Sequence, residues 1–170
     1  SQYGIAVVMP RADKSFYTDM KYGMKYYTHI AKELPSLICQ FFNVSEKRED
    51  NYIAGLSMGG MQTTNIGMCE CLDIISWFGA FSAAPTTYPA DKIAECMENF
   101  EGYDVNYYYA MCGTEDGIAF PSAKAAVTGL PEKSDKFVEG ENFTWQTLPG
   151  QHDFNIWYLG YYNFARLVFK

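Results

Sequence analysis

Residues 53–60 read Ile-Ala-Gly-Leu-Ser-Met-Gly-Gly, and three glycines surround the single serine of this stretch, Ser57. The apolar run before Ser57 is typical of a short buried strand, and helical spacing follows it. Small neighbours allow a tight turn from strand to helix that holds a reactive hydroxyl clear of the backbone. The alternative is a glycine-rich turn whose serine only caps the helix. A nucleophilic serine needs partners, so the rest of the chain must decide.

The composition limits the classes of protein that this chain can belong to. Its 170 residues are 48% hydrophobic, which is enough for one domain with a sizeable core. The formal net charge of −7 would repel the phosphates of a nucleic acid. The chain contains no run of about 18 apolar residues, so the sequence predicts no membrane span. The five cysteines lack Cys-x-x-Cys spacing, which argues against a zinc site and favours buried free thiols.

Predicted strands and helices alternate along the chain. The predicted strands are residues 4–9, 52–56, 75–83, 105–112 and 143–148. The predicted helices are residues 22–42, 59–72, 91–100, 121–130 and 154–169, and Pro35 is expected to kink or split the first. The polar residues 131–142 are expected to form an exposed loop or a helix end. This alternation predicts an α/β fold with a mostly parallel sheet and helices on both faces.

A nucleophilic serine needs a base, and the chain has two histidines, His29 and His152. His29 falls within the first predicted helix, where a structural role is expected. His152 follows the last predicted strand and precedes the last helix, which puts it at the carboxyl edge of the sheet. Ligands gather at that edge in open α/β folds, and Ser57 also follows a strand there. His152 is therefore the favoured base.

The base in turn needs a carboxylate to orient it. The fourth predicted strand runs into Glu115 and Asp116, and both are candidates at the same edge of the sheet. Asp153 adjoins His152, but it stands directly before Phe154 and is expected to cap the last helix. The order serine, acid, histidine is the chain order of the α/β-hydrolase triad. The pattern therefore favours a serine hydrolase.

Four motifs carry a closer resemblance. They are Ile-Ala-Gly-Leu-Ser-Met-Gly-Gly-Met-Gln at 53–62, Gly-Ala-Phe-Ser-Ala-Ala-Pro-Thr-Thr-Tyr-Pro at 79–89, Cys-Gly-Thr-Glu-Asp at 112–116 and Gly-Gln-His-Asp-Phe-Asn-Ile-Trp at 150–157. Nearly the whole chain resembles carbohydrate esterase family 1, and more narrowly the feruloyl esterase modules attached to bacterial xylanases. Val-Val-Met-Pro at 7–10 is also similar to a wider esterase group that includes tributyrin esterases and S-formylglutathione hydrolases.

The resemblance implies an α/β-hydrolase fold with a catalytic triad of Ser57, Asp116 and His152, and it favours Asp116 over Glu115. The amide of Met58, first in the helix after the turn, would then donate to the oxyanion. Neither a metal nor a cofactor is needed for this chemistry.

The resemblance also bears on the substrate and its contacts. It puts Trp157 near the substrate, although a tryptophan that only packs its helix is an equal alternative. Feruloyl esters of plant xylan are the preferred substrate, and acetyl-xylan or another small-acyl ester is the runner-up. A non-catalytic binding module with a hydrolase fold, or a truncated remnant, is a second alternative. The resemblance suggests a secreted or cell-surface protein, with a cytoplasmic location as the alternative.

One part of the family pattern is absent from these residues. In the α/β-hydrolase sheet the third strand lies between the fourth and the fifth, and the loop after it supplies the second oxyanion donor. Residues 4–9 match the fourth strand and residues 52–56 the fifth. We therefore expect residues 1–170 to be the C-terminal portion of a single hydrolase domain. An upstream chain segment is expected to supply the missing strands, so that residues 4–9 do not pair directly with residues 52–56.

Overall fold

A four-stranded parallel sheet forms the centre of the computed structural model, which describes residues 4–169. The strands are β1 (Tyr52–Leu56), β2 (Trp77–Phe81), β3 (Tyr107–Gly113) and β4 (Phe143–Leu148). They lie side by side in chain order. Leu56 lies beside Phe81 in the register, and Phe81 lies beside Met111. The residues that directly follow these three positions therefore meet at one carboxyl edge of the sheet.

Helices precede and connect the strands. The first is α1 (Tyr26–Thr28), which continues through a π-helical segment (His29–Glu33) into α2 (Leu34–Phe41). A 3₁₀ turn (Arg48–Asp50) leads into β1, and α3 (Met58–Gln62) leaves it and continues as a second π-helical segment (Thr63–Met68). The remaining helices are α4 (Ala90–Met97), α5 (Phe120–Val127), α6 (Leu130–Lys133) and α7 (Phe154–Val168).

Helices cover both faces of the sheet. Alternate residues of each strand point to opposite faces, so each face has its own set of packed side chains. On one face, Phe78, Tyr108 and Phe143 pack with side chains from the second π-helical segment and from α4, α5 and α6. On the other face the strands pack against α7, through Phe81, Tyr109, Met111, Ile156, Trp157 and Phe164. The predicted α/β architecture is confirmed.

The elements from β1 onward follow the sequence predictions closely. The strands predicted at 52–56 and 143–148 have the observed bounds. Pro35 stands in the first turn of α2. The helical segment is not split there, but it changes from π-helical to α-helical directly before this turn. Residues 131–142, predicted as an exposed loop or a helix end, begin within α6, but the expected exposure is wrong at Phe137. Its ring is 1% exposed and packs edge-on against Tyr108 and Phe143.

The strand predicted over residues 4–9 is also wrong, because these residues form no regular structure. Val7, Val8 and Met9 are 60%, 43% and 87% exposed. A strand is held by a ladder of backbone hydrogen bonds to a neighbour, and an apolar sequence cannot supply that neighbour. β1 pairs with β2 and not with residues 4–9. The expectation that these two segments do not pair directly is confirmed.

The first quarter of the chain adds little to the core. Between residues 4 and 50 the buried side chains are Ala12 and Ala31, and α2 buries none of its residues. Several large apolar side chains in this region are exposed: Phe16, Met20, Tyr22, Met24, Phe41 and Phe42. Across residues 4–169, no helix has the length and apolar character needed to cross a membrane.

Candidate active site

Ser57 occupies a strained turn between β1 and α3. Its φ of 52° and ψ of −114° lie outside the regions that residues with a side chain ordinarily adopt. Three backbone hydrogen bonds hold the turn. The Ser57 N–H donates to the Phe81 carbonyl at 2.8 Å, and the Ser57 carbonyl accepts from Met61 at 3.1 Å and Ala84 at 3.0 Å. The serine side chain therefore stands at the carboxyl edge of the sheet in a fixed position.

His152 lies between β4 and α7 and contacts Ser57 directly. Its Nε2 is 2.9 Å from Ser57 Oγ, and its Nδ1 is 2.7 Å from Asp116 Oδ2. An ionised carboxylate can only accept hydrogen bonds. Nδ1 therefore carries the ring proton, and this N–H donates a hydrogen bond to Asp116. Nε2 is then an acceptor, and the Ser57 hydroxyl donates to it. The three side chains form one continuous chain of hydrogen bonds.

Asp116 lies in the turn after β3, and its side chain is almost fully buried. Its Oδ1 accepts hydrogen bonds from the backbone N–H groups of Ile118 at 3.1 Å and Ala119 at 2.8 Å. Burial by itself would raise the pKa of Asp116. Hydrogen bonds from the Ala119 amide, His152 and Ser82 outweigh burial and hold this pKa below its ordinary value. The carboxylate is therefore ionised at neutral pH.

Two side chains near Asp116 had no role in the sequence prediction. Cys112 Sγ lies 3.6 Å from Asp116 Oδ2 and 3.7 Å from Ser82 Oγ. Burial raises the pKa of the Cys112 thiol to about 12, so it keeps its proton and acts as a donor. The strand register explains why these two residues are neighbours. Phe81 lies beside Met111, and Ser82 and Cys112 directly follow these two residues.

The other candidate side chains lie elsewhere. Glu115 is exposed, and its backbone N–H donates to Gly150, which closes the turn. Asp153 caps α7 as expected, because its carboxylate accepts from the N–H groups of Asn155 and Ile156. His29 is half-buried and pairs with Glu33 at 3.1 Å on the first π-helical segment.

Met58 and Trp157 lie next to the hydrogen-bonded side chains. Met58 is the first residue of α3, where an N–H group has no acceptor within the helix. The ring of Trp157 stands edge-on to that of His152, with centroids 4.9 Å apart. Trp157 is 9% exposed and belongs to the core beneath α7, so it has the packing role that the sequence left as the alternative. Contact of Trp157 with a substrate stays a prediction.

An exposed aromatic residue that the sequence prediction missed lies beside Trp157. Phe154, the first residue of α7, is 72% exposed, and its ring centroid is 4.9 Å from that of Trp157. Its position two residues after His152 is the signal that could have found it. Ile118, two residues after Asp116, is also well exposed. Apolar surface therefore lies on the residues that flank both the histidine and the acid.

Within residues 4–169, no group of three or more His, Cys, Asp or Glu side chains is arranged to hold a metal ion. The cysteines are free thiols, and those at 69, 71, 96 and 112 are buried.

Comparison with curated protein sequences finds similarity to an esterase over part of the chain. Over 68 residues the chain is 32% identical to an acetyl esterase from Caldicellulosiruptor saccharolyticus. The match covers 39% of this chain and 26% of that protein, so it spans only about a quarter of the relative. No family model matches the chain.

Comparison with solved structures extends over almost the whole chain. The CE1 ferulic acid esterase of Anaeromyces mucronatus superposes with a TM-score of 0.71 at 22% identity, over 95% of this chain and 59% of that one. An S-formylglutathione hydrolase from Staphylococcus aureus superposes with a TM-score of 0.74 at 22% identity, over 99% of this chain and 73% of that one. Likeness at this level of identity shows the fold. The chain has the α/β-hydrolase fold, and within that fold it resembles the CE1 ferulic acid esterases.

Proposed function

We propose that this protein is a carboxylic ester hydrolase with Ser57 as nucleophile, His152 as general base and Asp116 as the acid that orients it. The observation that carries the proposal is the continuous hydrogen bonding from Ser57 Oγ through His152 to Asp116, at 2.9 Å and 2.7 Å. The strained backbone of Ser57 supports it, because strain of this kind clusters at functional sites. A binding module has no need of this arrangement.

The geometry supports acylation at Ser57 through a tetrahedral intermediate. Oγ attacks the ester carbonyl carbon, and its proton passes to His152 Nε2, which already accepts it at 2.9 Å. The ionised Asp116 stabilises the charged imidazole that results. The Met58 N–H donates to the oxygen that becomes negative. When the tetrahedral intermediate collapses, the C–O bond to the alcohol breaks and His152 returns the proton to the departing oxygen.

Deacylation repeats this sequence with water. His152 removes a proton from a water molecule, whose oxygen attacks the acyl carbon bound to Ser57. Collapse releases the carboxylic acid and restores the serine hydroxyl. No oxidation or reduction takes place. In each half of the reaction, His152 accepts one proton from the attacking group and returns it to the leaving group.

The experiment that tests this proposal is removal of the Ser57 hydroxyl. We expect Ser57→Ala to lower kcat on p-nitrophenyl acetate by at least about 1,000-fold, as removal of a triad member does in serine hydrolases. A fluorophosphonate probe should label the wild-type protein at Ser57, and the site is read by mass spectrometry. Ser76→Ala is the control, because Ser76 directly precedes β2, away from the carboxyl edge of the sheet, and its hydroxyl donates to the Arg48 carbonyl.

Near-normal hydrolysis by Ser57→Ala would contradict the proposed nucleophile. A wild-type full-length protein that neither hydrolyses any activated ester nor takes up the probe would favour the non-catalytic binding module. Retained labelling in Ser76→Ala together with lost labelling in Ser57→Ala would support the proposal.

For the substrate we propose an aromatic acyl ester of the feruloyl type. The exposed ring of Phe154, which packs against Trp157 beside His152, offers a flat apolar contact for an aromatic acid. The exposed Ile118 side chain adds apolar surface next to Asp116. Acetyl or another small acyl group is the second candidate, because the chain is similar over 68 residues to an acetyl esterase.

Phe154 gives a cleaner test of acyl preference than Trp157, whose truncation would open a cavity in the core. We expect Phe154→Ala to lower kcat/KM for methyl ferulate more than for p-nitrophenyl acetate, because only the aromatic acyl group is large enough to use the ring. Tyr158→Ala is the matched control, since Tyr158 is 74% exposed one turn further along α7. Equal losses on both esters, or none, would favour the small-acyl esterase.

We further propose that residues 1–170 act as part of a larger hydrolase domain. An extended segment from upstream in the same polypeptide would pair with the free edge of β1 and supply the second oxyanion donor. Three observations support this: β1 pairs on one side only among the described residues, the apolar residues 7–9 are exposed, and the chain spans 59% of the Anaeromyces mucronatus esterase.

A further inference from the structure

The loop between β2 and α4, residues 82–89, lies against the helix that follows Ser57. It contains no strand or helix of its own, so its position depends on contacts with other elements. A Cβ on Gly60 would lie only 3.0 Å from Ala83 Cα, which shows how closely the loop approaches α3. The Ala84 N–H donates to the Ser57 carbonyl at 3.0 Å. The loop therefore supplies one of the three backbone hydrogen bonds that hold the strained turn.

Asn65 holds the second half of this loop with both ends of its side-chain amide. Its Nδ2 donates to the Thr86 carbonyl at 2.9 Å, and its Oδ1 accepts from the Tyr88 N–H at 2.9 Å. These partners fix the orientation of the amide, because a carbonyl needs the donor and an N–H needs the acceptor. Asn65 is 7% exposed. Within residues 4–169 it is the only side chain outside the loop that hydrogen-bonds to residues 85–88.

A tight turn connects this clamped half of the loop to Ala84. The Thr87 N–H and the Thr87 hydroxyl both donate to the Ala84 carbonyl, at 2.9 Å and 2.6 Å. A displacement of the clamped half therefore moves Ala84, whose own N–H is bonded to Ser57. The second π-helical segment, which carries Asn65, continues α3 directly. The loop is thus tied at two points to the one helical segment that begins after Ser57.

We propose that Asn65 is a positioning residue, which clamps the loop so that the Ala84 N–H keeps Ser57 in its strained conformation. This inference rests on the proposed function, because its purpose is to hold the nucleophile of a serine hydrolase against its base. A strained backbone persists only where the surrounding structure holds it. Without the clamp the Ala84 bond weakens, the turn relaxes, and Ser57 Oγ leaves its place 2.9 Å from His152 Nε2.

Two substitutions in the full-length polypeptide test the inference. We expect Asn65→Ala to lower kcat on p-nitrophenyl acetate by about 10- to 100-fold with KM nearly unchanged, because a shift of about 1 Å in a reacting group has effects of this size. Thr87→Val is the milder variant, since the Ala84 carbonyl keeps its bond to the residue 87 N–H. It should lower kcat by about 2- to 10-fold, as loss of one hydrogen bond does.

Asn142→Ala is the matched control. Asn142 also holds a loop through its amide, because its Nδ2 donates to two backbone carbonyls and its Oδ1 accepts from the Val138 N–H. It directly precedes β4, at the amino end of the sheet and away from Ser57. Asn142→Ala should lower the melting temperature and keep wild-type kcat.

Hydrogen exchange of single amides, read by NMR, separates positioning from general stability without using activity. The Tyr88 N–H is bonded to Asn65 itself, so its exchange reports the clamp. The Ala84 N–H is bonded to Ser57, so its exchange reports whether the clamp acts on the turn. We expect both amides to exchange faster in Asn65→Ala, and the Ala84 amide also in Thr87→Val. Amides that join β2 to β3 should keep their protection, which excludes a loss of stability throughout the protein.

The outcomes distinguish this inference from the proposed function. Wild-type kcat in a folded Asn65→Ala, or an Ala84 amide as protected there as in the wild type, would overturn the role of Asn65, even if Ser57→Ala is inactive. An active Ser57→Ala would overturn the proposed nucleophile, and exchange would still report whether Asn65 holds the turn.

Thr87→Val decides the matter if Asn65→Ala does not fold. Wild-type kcat and wild-type Ala84 exchange in Thr87→Val would then overturn the inference and leave Asn65 a purely structural residue. Lower kcat and faster Ala84 exchange in each folded variant, against unchanged kcat in Asn142→Ala, would support the inference.

Discussion

At the scale of single residues, the glycines around Ser57 differ in what they do. A Cβ on Gly55 would overlap the backbone of Gly59, so β1 and α3 can meet at the turn only if residue 55 has no side chain. A Cβ on Gly59 would meet nothing within 4 Å. The close approach that holds Ser57 out therefore depends on Gly55, and Gly59 is replaceable.

We predict opposite outcomes for alanine at these two positions. Gly55→Ala should lower both the melting temperature and ester hydrolysis, because the obstructing atoms are backbone and only a shift of the turn relieves the overlap. Gly59→Ala should keep activity and gain up to about 1 kcal/mol in the free energy of unfolding, since alanine favours the helix. Thermal unfolding and p-nitrophenyl acetate hydrolysis measure both. Equal damage from the two substitutions would contradict the distinction.

The sequence predicts the main side chains of the site but not those that support them. Ser57 and His152 follow from their places after predicted strands, because parallel strands bring their carboxyl ends to one edge. The choice between Glu115 and Asp116 needed the family resemblance, because both lie in one turn. In the folded chain, the backbone N–H groups of Ile118 and Ala119 donate to the Asp116 carboxylate and hold it in place. The sequence alone does not show where these N–H groups point. Ser82 depends on the strand register, which the sequence alone does not fix.

At the scale of elements, the start of α7 controls the position of His152. Asp153, the next residue, accepts a hydrogen bond from the N–H of Asn155 at 2.9 Å and a longer one from Ile156 at 3.4 Å. These bonds satisfy two of the N–H groups that a helix leaves free at its first turn. The cap therefore fixes where the helix begins and how the chain enters it from His152.

We predict that Asp153→Ala lowers the free energy of unfolding by about 1 kcal/mol, the usual cost of losing such a cap. It should also lower kcat modestly, because a frayed first turn lets His152 move away from Ser57. Asp153→Asn is the matched control, since an asparagine side chain also caps helices well. Urea unfolding and ester hydrolysis measure the two effects. If Asn and Ala lose the same amount, the negative charge rather than the cap geometry matters at this position.

The elements that the sequence predicts well are those whose partners lie within the described chain. β1 and β4 have their predicted bounds, and each pairs with a neighbouring strand. β1 is a short, mostly apolar run, whereas β4 mixes apolar and polar residues. Residues 4–9 are as apolar but form no strand. The apolar pattern of a short segment indicates that its side chains tend to be buried. Whether the segment forms a strand depends on a neighbouring strand, which the pattern of that segment does not reveal.

At the scale of the whole molecule, the core is distributed unevenly. The sheet and helices from β1 to α7 hold nearly all of the buried side chains, and residues 4–50 contribute only two alanines. Exposed aromatic and aliphatic side chains gather in two places, along residues 7–42 and on α7 at Tyr158, Leu159, Tyr161 and Tyr162. Exposure of this kind is expected if further polypeptide covers these residues, as proposed above.

The free edge of β1 gives the last prediction. In a parallel pair, alternate residues direct their N–H groups to the neighbour, so those of β1 that point away from β2 have no strand beside them within residues 4–169. An open edge also offers a template for association with other chains.

We predict that the 170-residue chain, expressed alone, is insoluble or inactive, and that these outward amides exchange hydrogen rapidly wherever it can be kept in solution. A polypeptide extended by its natural upstream residues should be soluble, and the same amides should become protected, because an added strand would pair with them. Amides facing β2 serve as the internal control, since they are bonded in either case. Slow exchange throughout β1 in a soluble, monomeric and active 170-residue chain would show that these residues need no further strand.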